Sequence, residues 1–403
     1  MRGQPAPAPD QEGAANGNGL GMKFTIERTV LLRALGHVQS IVERRTTIPI
    51  LSNILMQAQD ARLFLTATDL DISVREASDA AITQPGQITV SAHTLHDIVR
   101  KLPEGARVEI ALDPENGRLS LKAGRSQFYL ATLPAADFPA IDAAPAAGAG
   151  DASGGATQFI IAAGDLKRLV DKTRFAISTE ETRYYLNGIY LHVAKTSGIS
   201  MLRAVATDGH RLARVELPAP SGADTLPGII LPRKAVLELR KLIDDVTGDV
   251  SVSANAAKIR FAFDQVTLST KLIDGTFPDY TRVIPTANDK MMEVPNQQLR
   301  QAVDRVATIS SEKSRAVKVN LASNQMTVSV KNPDQGSAAE ELAVNYSATP
   351  IEIGFNARYL LDVADQIDGE NAIFEFFDAH SPALVRDSGD DSAQYVLMPM
   401  RVA

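Results

Sequence analysis

Apolar residues recur at i, i+3, i+4 and i+7 six times along this chain. Residues 159–178, FIIAAGDLKRLVDKTRFAIS, show the unit most clearly. A short β-prone run at 159–161 leads through Gly164 and Asp165, read as a helix start, into a stripe of Leu166, Leu169, Val170 and Thr173. That spacing predicts a helix with one buried face. Lys167, Arg168, Lys172 and Arg174 fall between the apolar positions, so the exposed side is basic. The same phasing returns at Leu31/Ala34/Leu35/Val38, Leu95/Ile98/Val99/Leu102, Val236/Leu239/Arg240/Ile243, Leu299/Ala302/Val303/Val306 and Leu360/Val363/Ala364/Ile367. A short β-prone stretch precedes each stripe. Any surface helix carries one such stripe, but six at a spacing of roughly 60 to 70 residues indicate internal duplication. Arg240 interrupts the apolar pattern, which makes the fourth copy the weakest.

The copies group in pairs. Ala136-Asp137-Phe138-Pro139 after the second is echoed by Gly275-Thr276-Phe277-Pro278-Asp279-Tyr280 after the fourth. Three domains are therefore expected, over 22–141, 158–285 and 286–403, each with two helices against paired strands in an α+β arrangement. Residues 1–21, rich in Pro, Ala and Gly, read as a disordered extension, and 142–157, a run of small residues, as a flexible linker. Among local signals, Pro49 predicts an extended edge over 48–51, and Asn116-Gly117 predicts a hairpin turn. Asp208-Gly209 reads as a turn between two strands.

The 403 residues, 44% apolar, suffice for several cores. Zero cysteines exclude disulfides and fit a reducing compartment. No apolar run of membrane-spanning length and no secretory leader occur, so a soluble, cytoplasmic protein is expected. A net charge of -7 argues against non-specific coating of nucleic acid, because such proteins are usually strongly basic overall. A local basic surface stays open. Twelve helix-borne cations would supply one: Arg33, Arg100, Lys101, Lys167, Arg168, Lys172, Arg174, Arg233, Lys234, Lys241, Arg300 and Arg305. Their ordinary reading is solvated helix surface.

Chemistry-bearing motifs are few. Neither HExxH, GxxxxGK[ST] nor GxGxxG occurs, and no metal or cofactor is expected. Asp69-Leu70-Asp71 and Asp390-Asp391 read as turn acids. Asp208 beside His210 would suit a hydrolase in which Asp orients His, but no nucleophile stands nearby in sequence.

Four segments in order, Arg183-Tyr184-Tyr185-Leu186-Asn187-Gly188, Thr207-Asp208-Gly209-His210-Arg211-Leu212, Phe277-Pro278-Asp279-Tyr280 and the tail YVLMPMRV at 395–402, sit within the threefold duplication. Together they resemble the β sliding clamp family of bacterial DNA polymerase III, over about residues 22–403. The resemblance implies a non-catalytic processivity factor: a homodimeric ring around double-stranded DNA, with helices lining the channel and sheets outside. Polymerase subunits, the clamp loader and repair proteins would bind it through short peptide motifs. By residue-wise match, the pocket for those peptides would take Leu186, Thr207, Gly209, His210, Arg211, Leu212, Pro278, Arg282 and Val283 from the second domain. The third domain would add Val396, Leu397, Met398, Pro399, Met400, Arg401 and Val402. Methionines suit a pocket that accepts different partners, although an apolar tail is also an ordinary core strand. DNA contact would fall to Arg45, Lys167, Arg168, Arg183, Tyr184 and Tyr185. A tyrosine pair is equally consistent with hairpin packing, and the acidic Glu180 weakens that loop's case. Ring closure would set Phe128 and Leu130 against Thr308 and Ile309 of the next subunit. A specialised duplicate clamp with altered pocket chemistry, such as an antibiotic-resistant copy, fits the same residues.

Overall fold

The computed structural model describes residues 21–113, 116–140, 156–311 and 315–401. Residues 1–20, most of the expected linker and Val402 lie outside the described residues.

All six stripes are helices: α1 (Arg28–Gln39), α2 (Ala92–Lys101), α3 (Ala163–Asp171), α4 (Arg233–Leu242), α5 (Asn296–Ala307) and α6 (Ala357–Ala364). The stripe residues are buried as the periodicity requires, for example Leu31, Ala34, Leu35 and Val38 in α1. Each helix follows directly on a strand, and only α6 has a side-chain cap, from Asn356. In five helices, α6 among them, the first N–H donates to a carbonyl of another segment. Arg28 reaches Ala106 (2.9 Å), Ala163 Gly248 (3.0 Å), Arg233 Asn187 (2.9 Å), Asn296 Glu370 (2.9 Å) and Ala357 Arg315 (2.8 Å). This satisfies a donor that a helix start leaves open. It also explains why α3 begins at Ala163, before the Gly164-Asp165 pair expected to open it.

The chain forms two compact units. In the first, α1 and α2 accompany two antiparallel sheets. One runs in the order Ala81–Gln84, Lys23–Glu27, Arg107–Leu112, Leu119–Ala123, Ser126–Leu130; the other begins Thr132–Leu133, Gly86–Ser91, Asn53–Gln59, Arg62–Thr68. Phe24, Leu31, Leu35, Val99 and Ile110 are fully buried in its core. The extended edge expected over 48–51 is corrected: Pro49–Ser52 is a 3₁₀ turn with Pro in its first positions. Proline's fixed φ favours the start of a helical turn, and only Ile48 before it is extended.

The second unit holds the other four helices and a nine-stranded antiparallel stretch that joins the later parts of the chain. Its order is Ile229–Pro232, Gly188–Thr196, Ile199–Thr207, Arg211–Pro218, Asp390–Leu397, Ala383–Asp387, Asn371–Phe376, Lys290–Pro295, Asn345–Tyr346. The join lies between Arg211–Pro218 and Asp390–Leu397, with Leu212 opposite Val396 and Arg211 opposite Leu397. Residues about 185 apart in the chain thus become sheet neighbours, and the tail lies beside the Asp208 turn.

Candidate functional site

The turn at 208–210 is built by short-range polar contacts. Oδ1 of Asp208 accepts from the N–H of His210 (2.9 Å) and of Arg211 (3.0 Å), and Oδ2 lies 3.1 Å from Arg211 Nε. Gly209 adopts φ +89°, which glycine takes without steric cost, and donates its N–H to Thr207 Oγ1 (3.1 Å). Asp208 is therefore occupied by its own turn. His210 instead stacks on Tyr359, with centroids 6.3 Å apart. This geometry gives no support to an Asp–His hydrolase.

Arg211 is 9% exposed and carries the turn onto the segment that follows α3 and onto α6. Its guanidinium binds the Asp362 carboxylate and the Phe175 carbonyl (2.7 Å) and lies over the rings of Phe175 and Tyr359. A charge this buried is tolerated because its donors meet acceptors. Arg211 therefore underpins the site, and His210 forms its surface.

The tail closes over the same turn. Met398 N–H donates to the His210 carbonyl (2.9 Å), and Met400 N–H to the Gly354 carbonyl (2.8 Å). Met398 is 38% exposed, Pro399 and Met400 are half-buried and Arg401 is exposed. Val396 and Leu397 are buried. Beneath them Leu186, Leu212 and Val396 share one apolar cluster with Val205, Ile230, Phe277, Tyr280 and Leu384. Phe277 and Tyr280 belong to the segment 272–285, which also presents exposed Pro278, Arg282 and Val283. Arg282 is paired with Asp279 (2.9 Å). Leu186, Leu212 and Val396, from two distant segments, thus share an apolar floor next to the turn whose His210 carbonyl receives Met398 N–H.

Tyr359 and Asn356, absent from the sequence expectation, come to this place with α6. Both line a polar cleft of about 900 Å³ beside His210, where Arg174, Arg233 and Arg315 face Asp171 and Asp365. The signal was the Asn356 cap, which fixes where α6 begins and so where Tyr359 points.

The expected nucleic-acid residues divide. Arg45 is exposed in the loop after α1, and Tyr184 is 53% exposed. Tyr185 packs against the apolar cluster and meets Tyr184 edge to face at 5.8 Å. Arg183 is held by Glu180 at 2.7 Å, and this contact also keeps the Glu180 carboxyl below its ordinary range. Three cations expected on the basic helix face have partners within the chain. Lys167 Nζ donates to the Asp244 and Val246 carbonyls at the end of α4. Arg168 binds Asp390 and Ser392, and buried Lys172 binds Asp368 (2.7 Å) and the Gln366 carbonyl. These cations fasten chain segments together.

Phe128 and Leu130 are half-buried on Ser126–Leu130, a strand with a sheet partner on one side only. Thr308 is exposed and Ile309 half-buried just after α5, which packs by Gly336–Ala343, the edge strand of another sheet. Among the described residues, no group of three or more His, Asp or Glu side chains could hold a metal ion, and no helix is long and apolar enough to cross a membrane.

Comparison with known proteins agrees with this geometry. The N-terminal, central and C-terminal domain models of the DNA polymerase III beta subunit match residues 22–142, 161–279 and 281–401. The beta sliding clamp of Caulobacter vibrioides is 52% identical over 381 residues, covering 94% of this chain and 100% of that protein. A crystal structure of the C. crescentus clamp, with PEG bound to its putative beta-motif tethering region, superposes with a TM-score of 0.90 at 52% identity, covering 95% of this chain and 99% of that one. A Bartonella birtlesii clamp bound to griselimycin gives 0.89 at 47% identity, covering 95% and 100%. The chain belongs to the DNA polymerase III beta subunit family, the non-catalytic sliding clamps of DNA polymerase.

Proposed function

We propose that two copies of this chain close head to tail into a cytoplasmic ring around duplex DNA and hold polymerase, loader and repair proteins by short peptides. The observation that carries the reading is the seam at Leu212 and Val396. It sets the 208–210 turn against the Met398-Pro399-Met400 tail over an apolar floor, a surface suited to an extended peptide with apolar anchors. Two one-sided edge strands, Ser126–Leu130 and Gly336–Ala343, supply the surfaces for closure, since an unpaired edge invites another chain unless symmetry closes it. The expected domain boundaries at 141/158 and 285/286 would give three similar arcs per subunit.

A ring does not depend on tight phosphate contacts. A protein making about 6 to 10 of them loses about 10³ to 10⁵ in affinity between 50 and 200 mM salt, whereas a threaded ring is held by topology. The test is retention at high salt on circular DNA before and after linearisation, with light scattering for mass. Retention lost on cutting, with a particle near twice 43.2 kDa, supports the reading. Equal retention on both forms, or a persistent monomer, removes it.

A further inference from the structure

One face of the sheet carries a polar network of His192, Arg203, Arg214 and Glu216, none of them among the residues matched to the pocket. His192 and Arg203 are directly opposite on neighbouring strands, and Arg203 is opposite Glu216 on the next. The Arg203 and Glu216 side chains are 12% and 8% exposed and joined by an ion pair. Arg214, 16% exposed, also reaches Glu216, at 3.5 Å, and its Nε has no hydrogen-bond partner. Two guanidinium groups thus share one carboxylate, leaving an excess positive charge in a poorly solvated place.

Tyr280 is inserted into this network from the 272–285 segment. Its hydroxyl lies 3.0 Å from His192 Nε2 and 3.3 Å from Arg203 Nη1. Arginine can only donate, so the phenol oxygen accepts from Arg203, and with His192 neutral and its Nε2 unprotonated the phenol hydrogen goes to that nitrogen. That arrangement needs neutral His192. The ring is held in place by stacking: Tyr190 lies between His192 (4.6 Å) and Phe277 (4.8 Å). A Cβ at Gly228 would collide with Tyr190.

Protonation would turn His192 Nε2 from acceptor into donor, crowd two cationic donors onto the one phenol oxygen, and add a third cation beside Arg203 and Arg214. We infer that His192 is a positioning residue for the peptide pocket: neutral, it holds the 272–285 segment against the sheet through Tyr280, and on protonation it releases that segment and weakens peptide binding. The inference rests on the pocket reading above, because Pro278, Arg282 and Val283 ride on this segment. Burial holds His192 below its ordinary value; the Val193 backbone contact opposes this, Arg203 and Arg214 reinforce it and Glu216 opposes it. The release therefore belongs to the acid side of neutrality.

The test titrates griselimycin into the full chain at about pH 7.5 and about pH 5, for the unaltered protein, His192→Gln and Tyr280→Phe. One hydrogen bond's worth of anchoring predicts a roughly three- to tenfold loss of affinity on acidification, absent in His192→Gln. Tyr280→Phe, which keeps the buried ring, is expected to bind more weakly than the unaltered protein at pH 7.5 and to lose little more on acidification. Amide exchange of 272–285, corrected for its intrinsic pH dependence, should speed up in acid only when His192 is present. An equal acid loss in His192→Gln assigns the effect to another group, such as His210, and overturns the inference, as does pH-independent binding. No griselimycin binding at pH 7.5 overturns the pocket reading first.

Discussion

Arg240 Nε of α4 lies 2.7 Å from the Asp171 carboxylate at the end of α3, at the stripe position that is apolar in the other five helices. The apparent defect in the fourth repeat is therefore compensated by an acid on the helix it faces. Arg240 also reaches Asp244 at 2.6 Å. Both partners are partly wet, so their attraction is discounted by solvent. Asp171→Ala should cost about 1 kcal/mol, and less at high salt. Arg240→Leu, which restores the repeat's apolar type, should stay within about 1 kcal/mol of the unaltered protein. Urea denaturation decides it: a leucine variant destabilised by about 3 kcal/mol would show that the pair specifies the packing.

Arg168 and Lys167 should behave as structural cations. Removing a phosphate contact lowers the salt slope of DNA binding by about 0.9. Arg168→Ala is expected to leave that slope unchanged and to lower the thermal midpoint, because it strands Asp390. Arg45→Ala, at an exposed loop position, is expected to do the reverse. A reduced slope in Arg168→Ala with unchanged melting would return this residue to the DNA-binding face.

The contrast shows what a single sequence discloses. The six helices were legible because a 3.6-residue period is local and the stripes repeat. The pocket residues came only from the resemblance; of them, Leu186, Leu212 and Val396 share one apolar cluster, and Met398 N–H reaches the His210 carbonyl. Whether a helix cation is free was not legible: Arg168 meets Asp390, and Lys172 meets Asp368, across about 200 residues of chain. Tyr359 was missed for the same reason, since nothing in its own helix shows that His210 will stack on it.

Stability should fall in mild acid. Burial sets His96 of α2 below its ordinary value of 6.5; Asp97 opposes, Arg100 and His93 reinforce. A lowered folded value means that the unfolded chain binds the proton first. The contribution of neutral His96 is thus complete above about pH 6.5 and lost as pH falls towards the folded value. Urea midpoints at pH 7.5 and 5.5 should drop, and His96→Gln should reduce the drop. A midpoint that rises on acidification contradicts the assignment.

Gly209 offers the sharpest test of how the turn makes the pocket. At φ +89° an added side chain is strained by about 1 to 2 kcal/mol, and a Cβ there would press on Arg183 Nη1, the guanidinium held by Glu180. Gly209→Ala therefore has two ways to relax. It can push Arg183 off Glu180, or it can shift the turn and with it the His210 carbonyl that receives Met398 N–H. Glu180→Gln, which weakens the hold on Arg183, separates them. If Arg183 yields, adding Glu180→Gln to Gly209→Ala recovers part of the lost stability and griselimycin affinity stays near normal. If the turn yields, affinity falls about tenfold, as for one lost anchoring contact, and the second substitution restores nothing. We expect the second outcome. Asp208 and Thr207 fix the turn through short hydrogen bonds, so a shift there cannot stay local and must reach the tail that forms the pocket's edge.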